Sequence, residues 1–318
     1  FVSFLPQLVA GPIERAKNLL PQLSRKLNPT KEQICNGITL IIMGLFKKVL
    51  IGDTAGKYVD HIFGNLELYH SIELISGLIL FSIQIYADFS GYSSIARGTA
   101  KLLGVDLIRN FNQPYLSRNI TEFWRRWHIS LSSWLKDYLY VSLGGNRIGI
   151  YRTYLNLFIT MLLGGLWHGA SWNFVLWGGL HGLYLSIHKL ILGSKKIDSS
   201  NMKKMNIIDL FKIFSTYLLV LFTWLFFRSS SLENSLLFIN RVVFWNKSEY
   251  ALLFISIVAS YLSIIILYDF LEYKINRHSF ILELKNKSII MGILVALFII
   301  TLLYMFQSDP MPFIYFQF

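Results

Sequence analysis

Apolar residues run through this chain in blocks of 16 to 21 positions, separated by polar loops that lean toward lysine and arginine. A helix rising about 1.5 Å per residue needs roughly 20 apolar residues to cross a bilayer, so such blocks read as membrane spans. Seven are predicted, at about 34–51, 72–89, 153–168, 172–192, 208–227, 250–269 and 289–306. The third and fourth part at the sequence HGAS, where Gly164, Gly165 and Gly169 weaken the helix. A helix broken at membrane depth is tolerated where it faces protein or a cavity. Between spans two and three, residues 90–152 contain FWRRWHISLSSWLKDYLY, which alternates aromatic and charged residues as an interfacial or re-entrant helix does. The predicted fold class is all-α, a polytopic helical membrane protein with re-entrant or interfacial helices between its spans.

The loops carry the orientation. Lysine and arginine dominate 12–33, 90–152 (nine against three acids), the segment holding Lys195, Lys196, Lys203 and Lys204, and the loop of Lys274, Arg277, Lys285 and Lys287. Segment 52–71 is acidic instead, with Asp53, Asp60 and Glu67 against Lys57. Counting spans three and four as one excursion out and back puts every basic loop on one face, which the positive-inside rule assigns to the cytoplasm. Residues 52–71 and the C-terminus then lie outside, and the expected location is the inner (cytoplasmic) membrane. Lys47 and Lys48, close to the far end of span one, are placed to snorkel. The loop from 229 to 249 is nearly balanced in charge.

Charged residues are only 15% of the 318, against 54% hydrophobic, whereas a soluble domain carries about a quarter charged. The net charge of +12 is accounted for by the loops, so it argues for orientation and against nucleic acid. A single cysteine, Cys35, excludes an intrachain disulfide and a CxxC motif. No thiolate or HExxH-type carboxylate accompanies His128, His168 and His181, so no metal site is expected. The chain is expected to form one domain over 1–318. Its opening, FVSFLPQLVAGPIER, reads as the end of something, so an N-terminal part is expected to be missing.

His168 is the first candidate for chemistry. An ionisable group at membrane depth is costly, and burial favours neutral imidazole, which is the form a general base on a hydroxyl needs. The competing reading is a packing histidine bonded to a carbonyl or a serine; the glycine-rich break and the neighbours Trp167, Ser171, Trp172 and Asn173 weigh toward function. His128 follows Arg125, Arg126 and Trp127. It can orient a donor or stabilise negative charge while the arginines hold phosphates, or all four can form an interfacial belt. Packing is favoured for His181 and a span-end position for His188. His61, His70 and His278 fall in loops with nothing convergent. Asp88 suits a proton path or a hydrogen bond to Ser90 or Arg97 equally well. LGGNRIG at 143–149 matches no phosphate-binding motif and reads as a turn. A transporter should show paired broken helices, and one break is found.

PQLVAGPIER, YADFSGYSSIARG, the stretch NFNQPYLSRNITEFWRRWHISLSSWLKDYLYVSLGGNR, LLGGLWHGASWNFVLWGGLHG, TWLFFR and the closing PFIYFQF together resemble the membrane-bound O-acyltransferases, nearest the bacterial alginate and peptidoglycan O-acetylation branch. The resemblance implies a helical membrane enzyme in which a cytosolic acyl donor, acetyl-CoA, meets an external acceptor. It implies His168 as catalytic base and His128 as the second histidine of the site, with Arg125 and Arg126 toward the donor. The final acceptor would be an exported polysaccharide, reached through a periplasmic or cell-surface partner. D-alanyl transfer toward teichoic acid is the alternative within the class, and a transporter or flippase the alternative outside it.

Overall fold

A computed structural model describes residues 3–8, 11–192, 206–307 and 311–314. Lys195, Lys196, Lys203 and Lys204 lie outside the described residues. The all-α prediction holds: helices account for nearly all regular structure, and no strand occurs among the described residues. Helix α1 (Ala16–Leu23) is followed by α2 (Lys31–Leu45), whose start is fixed by a capping box. There the Thr30 side chain accepts from the Gln33 backbone and the Gln33 side chain from that of Thr30, satisfying two end groups of the helix. A π-helical segment, Phe46–Asp53, joins α2 to α3 (Thr54–Gly64). The 34 residues Lys31–Gly64 thus form one helical run, and the external loop predicted at 52–71 shrinks to its last few residues. Then come α4 (Ser71–Leu102), α5 (Ile120–Arg126), α6 (Ile129–Trp134), α7 (Ile150–His168) and α8 (Trp172–Leu192). After these come α9 (Ile207–Arg228), α10 (Leu232–Val243), α11 (Ala251–Ile275) and α12 (Lys287–Gln307).

Among the described residues, five runs are long and apolar enough to cross a membrane: Lys31–Gly64, α4, α9, α11 and α12. Helices α7 and α8, predicted as spans three and four, form where expected but are not among the five; His181, His188, Lys189 and Asn173 dilute the apolar content of α8. The loop expected after residue 228 contains the amphipathic helix α10, capped by the Ser231 side chain, which accepts from the Asn234 backbone.

The chain divides into two compact units. The first comprises 1–64, 75–110 and 248–318, so it draws on chain from both sides of the second. Within it α2 and α4 cross with almost no room. A Cβ on Gly44 or on Gly91 would each fall 2.7 Å from the other's carbonyl oxygen, and Gly37 and Gly98 repeat the contact one heptad away. Tyr268 of α11, Leu294 of α12, Phe280 and Ile281 pack against Met43.

Charged side chains buried in this unit overturn three sequence expectations. Lys47 and Lys48 do not snorkel. Lys47 is 2% exposed, donates to Ser94 (3.3 Å) and lies 5.1 Å over the Tyr268 ring. Lys48 pairs with Asp53 at 2.5 Å and with Asp88 at 3.0 Å. Asp88 therefore serves neither Ser90 nor Arg97; its second oxygen accepts from the Ile314 backbone at 2.7 Å. His278 is buried, with its Nδ1 3.3 Å from Arg97 and 3.8 Å from Glu272. An ion inside a low-dielectric region must find a counter-ion or neutralise; Lys48 and Asp88 pair with each other, while Lys47 finds a hydroxyl and an aromatic face.

The second unit comprises 65–74 and 111–247 and holds α5 to α10. Its densest contact is the antiparallel pair α7 and α8, where a Cβ on Gly165 would meet the Phe174 carbonyl at 2.2 Å and one on Gly178 the Met161 carbonyl at 2.4 Å. Small residues at such crossings let backbones approach where no solvent drives packing.

Candidate active site

Helix α5 is short and held at both ends. The Asn119 side chain caps it by accepting from the Glu122 backbone at 2.8 Å. Glu122, buried, accepts from the Arg118 backbone (2.9 Å) and from the Arg126 guanidinium (2.8 Å), whose other arm donates to the Asn112 carbonyl (3.0 Å). Arg126 is thereby committed to holding α5 in place, while Arg125, one residue earlier, is exposed. The helix stops because Trp127 turns extended and His128 turns left-handed, at φ 42° and ψ 55°, before α6 begins. A non-glycine residue in that region costs roughly 1–2 kcal/mol, and such strain gathers at functional sites. His128 is 4% exposed and lies outside the membrane-spanning helices. Burial, and secondarily the neighbouring charge site of His168, lower its imidazole to about 3, so it is neutral at physiological pH.

His168 is the last residue of α7, directly at the predicted break, and is half-buried. Four aromatic rings surround its imidazole: Trp167 (5.2 Å), Trp177 (5.2 Å, perpendicular), Phe227 (5.1 Å) and Phe174 (6.2 Å). The site thus brings together two histidines that are 40 positions apart in sequence. An aromatic wall joins them, running from Trp127 to Trp224 (5.0 Å) to Trp177 (6.1 Å, stacked) and on to His168. Water-poor walls of this kind strengthen hydrogen bonds made inside them.

The other histidines separate cleanly. His181 is fully buried, and both its ring nitrogens are engaged: Nδ1 accepts from the Trp124 indole at 3.2 Å and Nε2 lies 3.0 Å from the Thr223 hydroxyl. His188 bonds Thr121 at 2.7 Å and sits within electrostatic reach of Arg125. His70 is half-exposed beside Glu73. Among the described residues no three metal-ligating side chains converge. Reading the sequence missed Trp124, Trp177, Trp224 and Thr223. The available signal was spacing: Trp177 and His181 are one helical turn apart on one face, as are Trp224 and Phe227.

A family model described as MBOAT, membrane-bound O-acyltransferase family, matches residues 1–232. The chain is 44% identical over 233 residues to a Pseudomonas aeruginosa protein named "Probable alginate O-acetylase AlgI", covering 73% of this chain and 43% of that one. It is 40% identical over 238 residues to the peptidoglycan O-acetyltransferase of Helicobacter pylori, covering 74% of this chain and 44% of the relative. Identity to the teichoic acid D-alanyltransferase of Bacillus subtilis is 28% over 204 residues, 59% of this chain and 50% of the relative. The chain therefore spans less than half the length of the alginate and peptidoglycan relatives it matches.

Proposed function

The chain belongs to the membrane-bound O-acyltransferase family, and on that premise we propose that it transfers acetyl groups from a cytoplasmic thioester, acetyl-CoA, to an exported polysaccharide of the cell envelope. The observation that carries this reading is His168 at the break after α7, half-open and ringed by aromatic side chains, with neutral His128 close enough to feel its charge. His168 takes the proton of the attacking hydroxyl while that oxygen bonds to the thioester carbonyl carbon. The carbon–sulfur bond then breaks, the electron pair leaves on sulfur, and the imidazolium returns its proton to the thiolate. His128 orients the donor or donates to the carbonyl oxygen as negative charge builds there. Arg125, exposed on α5, faces the donor's phosphates, with Arg126 supporting it from the Glu122 pair.

One transmembrane domain over 1–318 is part of this proposal, supported by a first unit that uses residues on both sides of the second. So is placement in the inner membrane, with hand-over through a periplasmic or cell-surface partner. The higher identity to the O-acetylating relatives favours acetyl over D-alanyl transfer.

Replacing His168 tests the proposal. A general base contributes typically 10²–10⁴-fold, so His168→Ala should lower polysaccharide acetylation by about that factor at parental membrane levels. His168→Gln keeps polarity and approximate size without basicity and should be nearly as defective. An active His168→Gln enzyme would refute the assignment.

A further inference from the structure

His181 stands one wall away from the reacting groups, and both its sides lead to them. Toward α5 its ring stacks on Phe123 (6.1 Å, 3° between planes), which stacks on Trp127 (5.6 Å, 16°), the residue before His128. Toward α7 it meets Trp177 (4.9 Å), which meets His168 edge to face (5.2 Å). Its tautomer follows from its partners. The Trp124 indole N–H donates to Nδ1, so the ring proton sits on Nε2. The Thr223 hydroxyl donates its own proton to the Val220 carbonyl at 2.7 Å, leaving an oxygen lone pair for that Nε2–H. One neutral imidazole therefore ties α5, α8 and α9 together at the point where both histidine-bearing elements are braced.

We propose that His181, held by Trp124 and Thr223, is a positioning residue that sets the separation and orientation of His128 and His168. This rests on the acyl-transfer reading of the site. A filler with no such role would need only its shape. The observed residue instead has both nitrogens oriented by donors and acceptors from two other helices, which fixes its rotation as well as its place.

Thr223→Val tests this, because it removes the hydroxyl and keeps the volume; Thr223→Ser restores the hydroxyl. In the full chain in membranes, with acetyl-CoA as donor, Thr223→Val should lower kcat by about 10–100-fold, since a shift of about 1 Å at a reacting group costs that much. KM for acetyl-CoA should stay within about threefold of the parent, and Thr223→Ser should recover most of kcat. A second readout needs no turnover. Carbethoxylation of His168 by diethyl pyrocarbonate, followed by mass spectrometry, should change in rate in Thr223→Val and be restored in Thr223→Ser, while exposed His70 reacts alike in all three. An active parent whose kcat and His168 reactivity ignore Thr223→Val overturns the positioning role alone. So does a loss of kcat that only tracks loss of folded protein. A parent inert toward acetyl-CoA overturns the acyl-transfer reading instead.

Discussion

Gly178→Ala places the smallest possible side chain into the tightest crossing of the second unit. Its Cβ would lie 2.4 Å from the Met161 carbonyl oxygen and 3.1 Å from the Cα atoms of Gly165 and Leu162. The first contact falls short of ordinary van der Waals distance by about 1 Å, and all three atoms belong to backbone, so no side chain can swing aside. Helices α7 and α8 must therefore separate by a comparable amount. Overpacking of this kind costs typically 1–3 kcal/mol of stability. The catalytic consequence should be larger in proportion, because α7 ends in His168 while Trp177, its neighbouring wall, lies beside the new methyl group. A misplacement of about 1 Å costs roughly 10²-fold in rate, so acetyl transfer should drop by about 10–100-fold in protein that is still folded. Gly179→Ala is the matched control. Its Cβ would meet nothing nearer than 3.7 Å, and alanine in a helix interior gains up to about 1 kcal/mol over glycine. Turnover per folded molecule, with thermal unfolding in detergent as the measure of folding, decides the matter. Equal behaviour of the two variants would show that the α7–α8 spacing does not govern the site.

Three further outcomes are expected. His128→Ala should depress acetyl transfer with insertion and folding intact, and unchanged acetylation would return His128 to an interfacial role. Because burial lowers the folded-state imidazole of His128 to about 3 against about 6.5 unfolded, the unfolded chain binds the extra proton first. Its contribution to stability is thus complete above about pH 6.5 and is lost as pH falls toward 3; His128→Asn should flatten the decline in unfolding midpoint across that window. The third concerns orientation: Leu68→Cys, in the short segment left between α3 and α4 and 71% exposed, should be labelled from outside by an impermeant thiol reagent. Labelling only after permeabilisation would reverse the proposed direction of transfer.

Much of the architecture is legible in the chain because its causes are local. The apolar blocks and the glycine break before Trp172 each act within a few residues, and helices form where the pattern puts them. One departure shows where locality fails. The acids of segment 52–71 predict a loop, yet Asp53 and Asp60 continue the helix; Asp53 can do so because Lys48, five residues earlier, neutralises it. Charge content predicts a loop only if the charges remain in water, and an ion pair within a helix removes that condition.

The same reasoning explains why the candidate site was half visible. His168 carries its own local signal, a glycine break inside an apolar block. His128 carries an ambiguous one, since Trp, Arg and His in a row suit a headgroup belt equally well. The left-handed turn at His128 and its burial are not local properties. Both depend on Glu122 holding Arg126 and on Phe123 and Trp127 finding partners in α8 and α9. Those partners lie more than 50 residues away, and no periodicity in α5 points to them. Lys47 shows the limit of the argument. A lone charge in an apolar block is costly, so the sequence requires that it be settled by snorkelling or by pairing, but it cannot say which. Lys47 is settled by a serine on α4 and the tyrosine ring and acids of α11, more than 200 residues downstream. Intramembrane charge thus marks where a fold must supply a partner. Only the fold decides which partner that is: a hydroxyl and an aromatic face at Lys47, two carboxylates at Lys48.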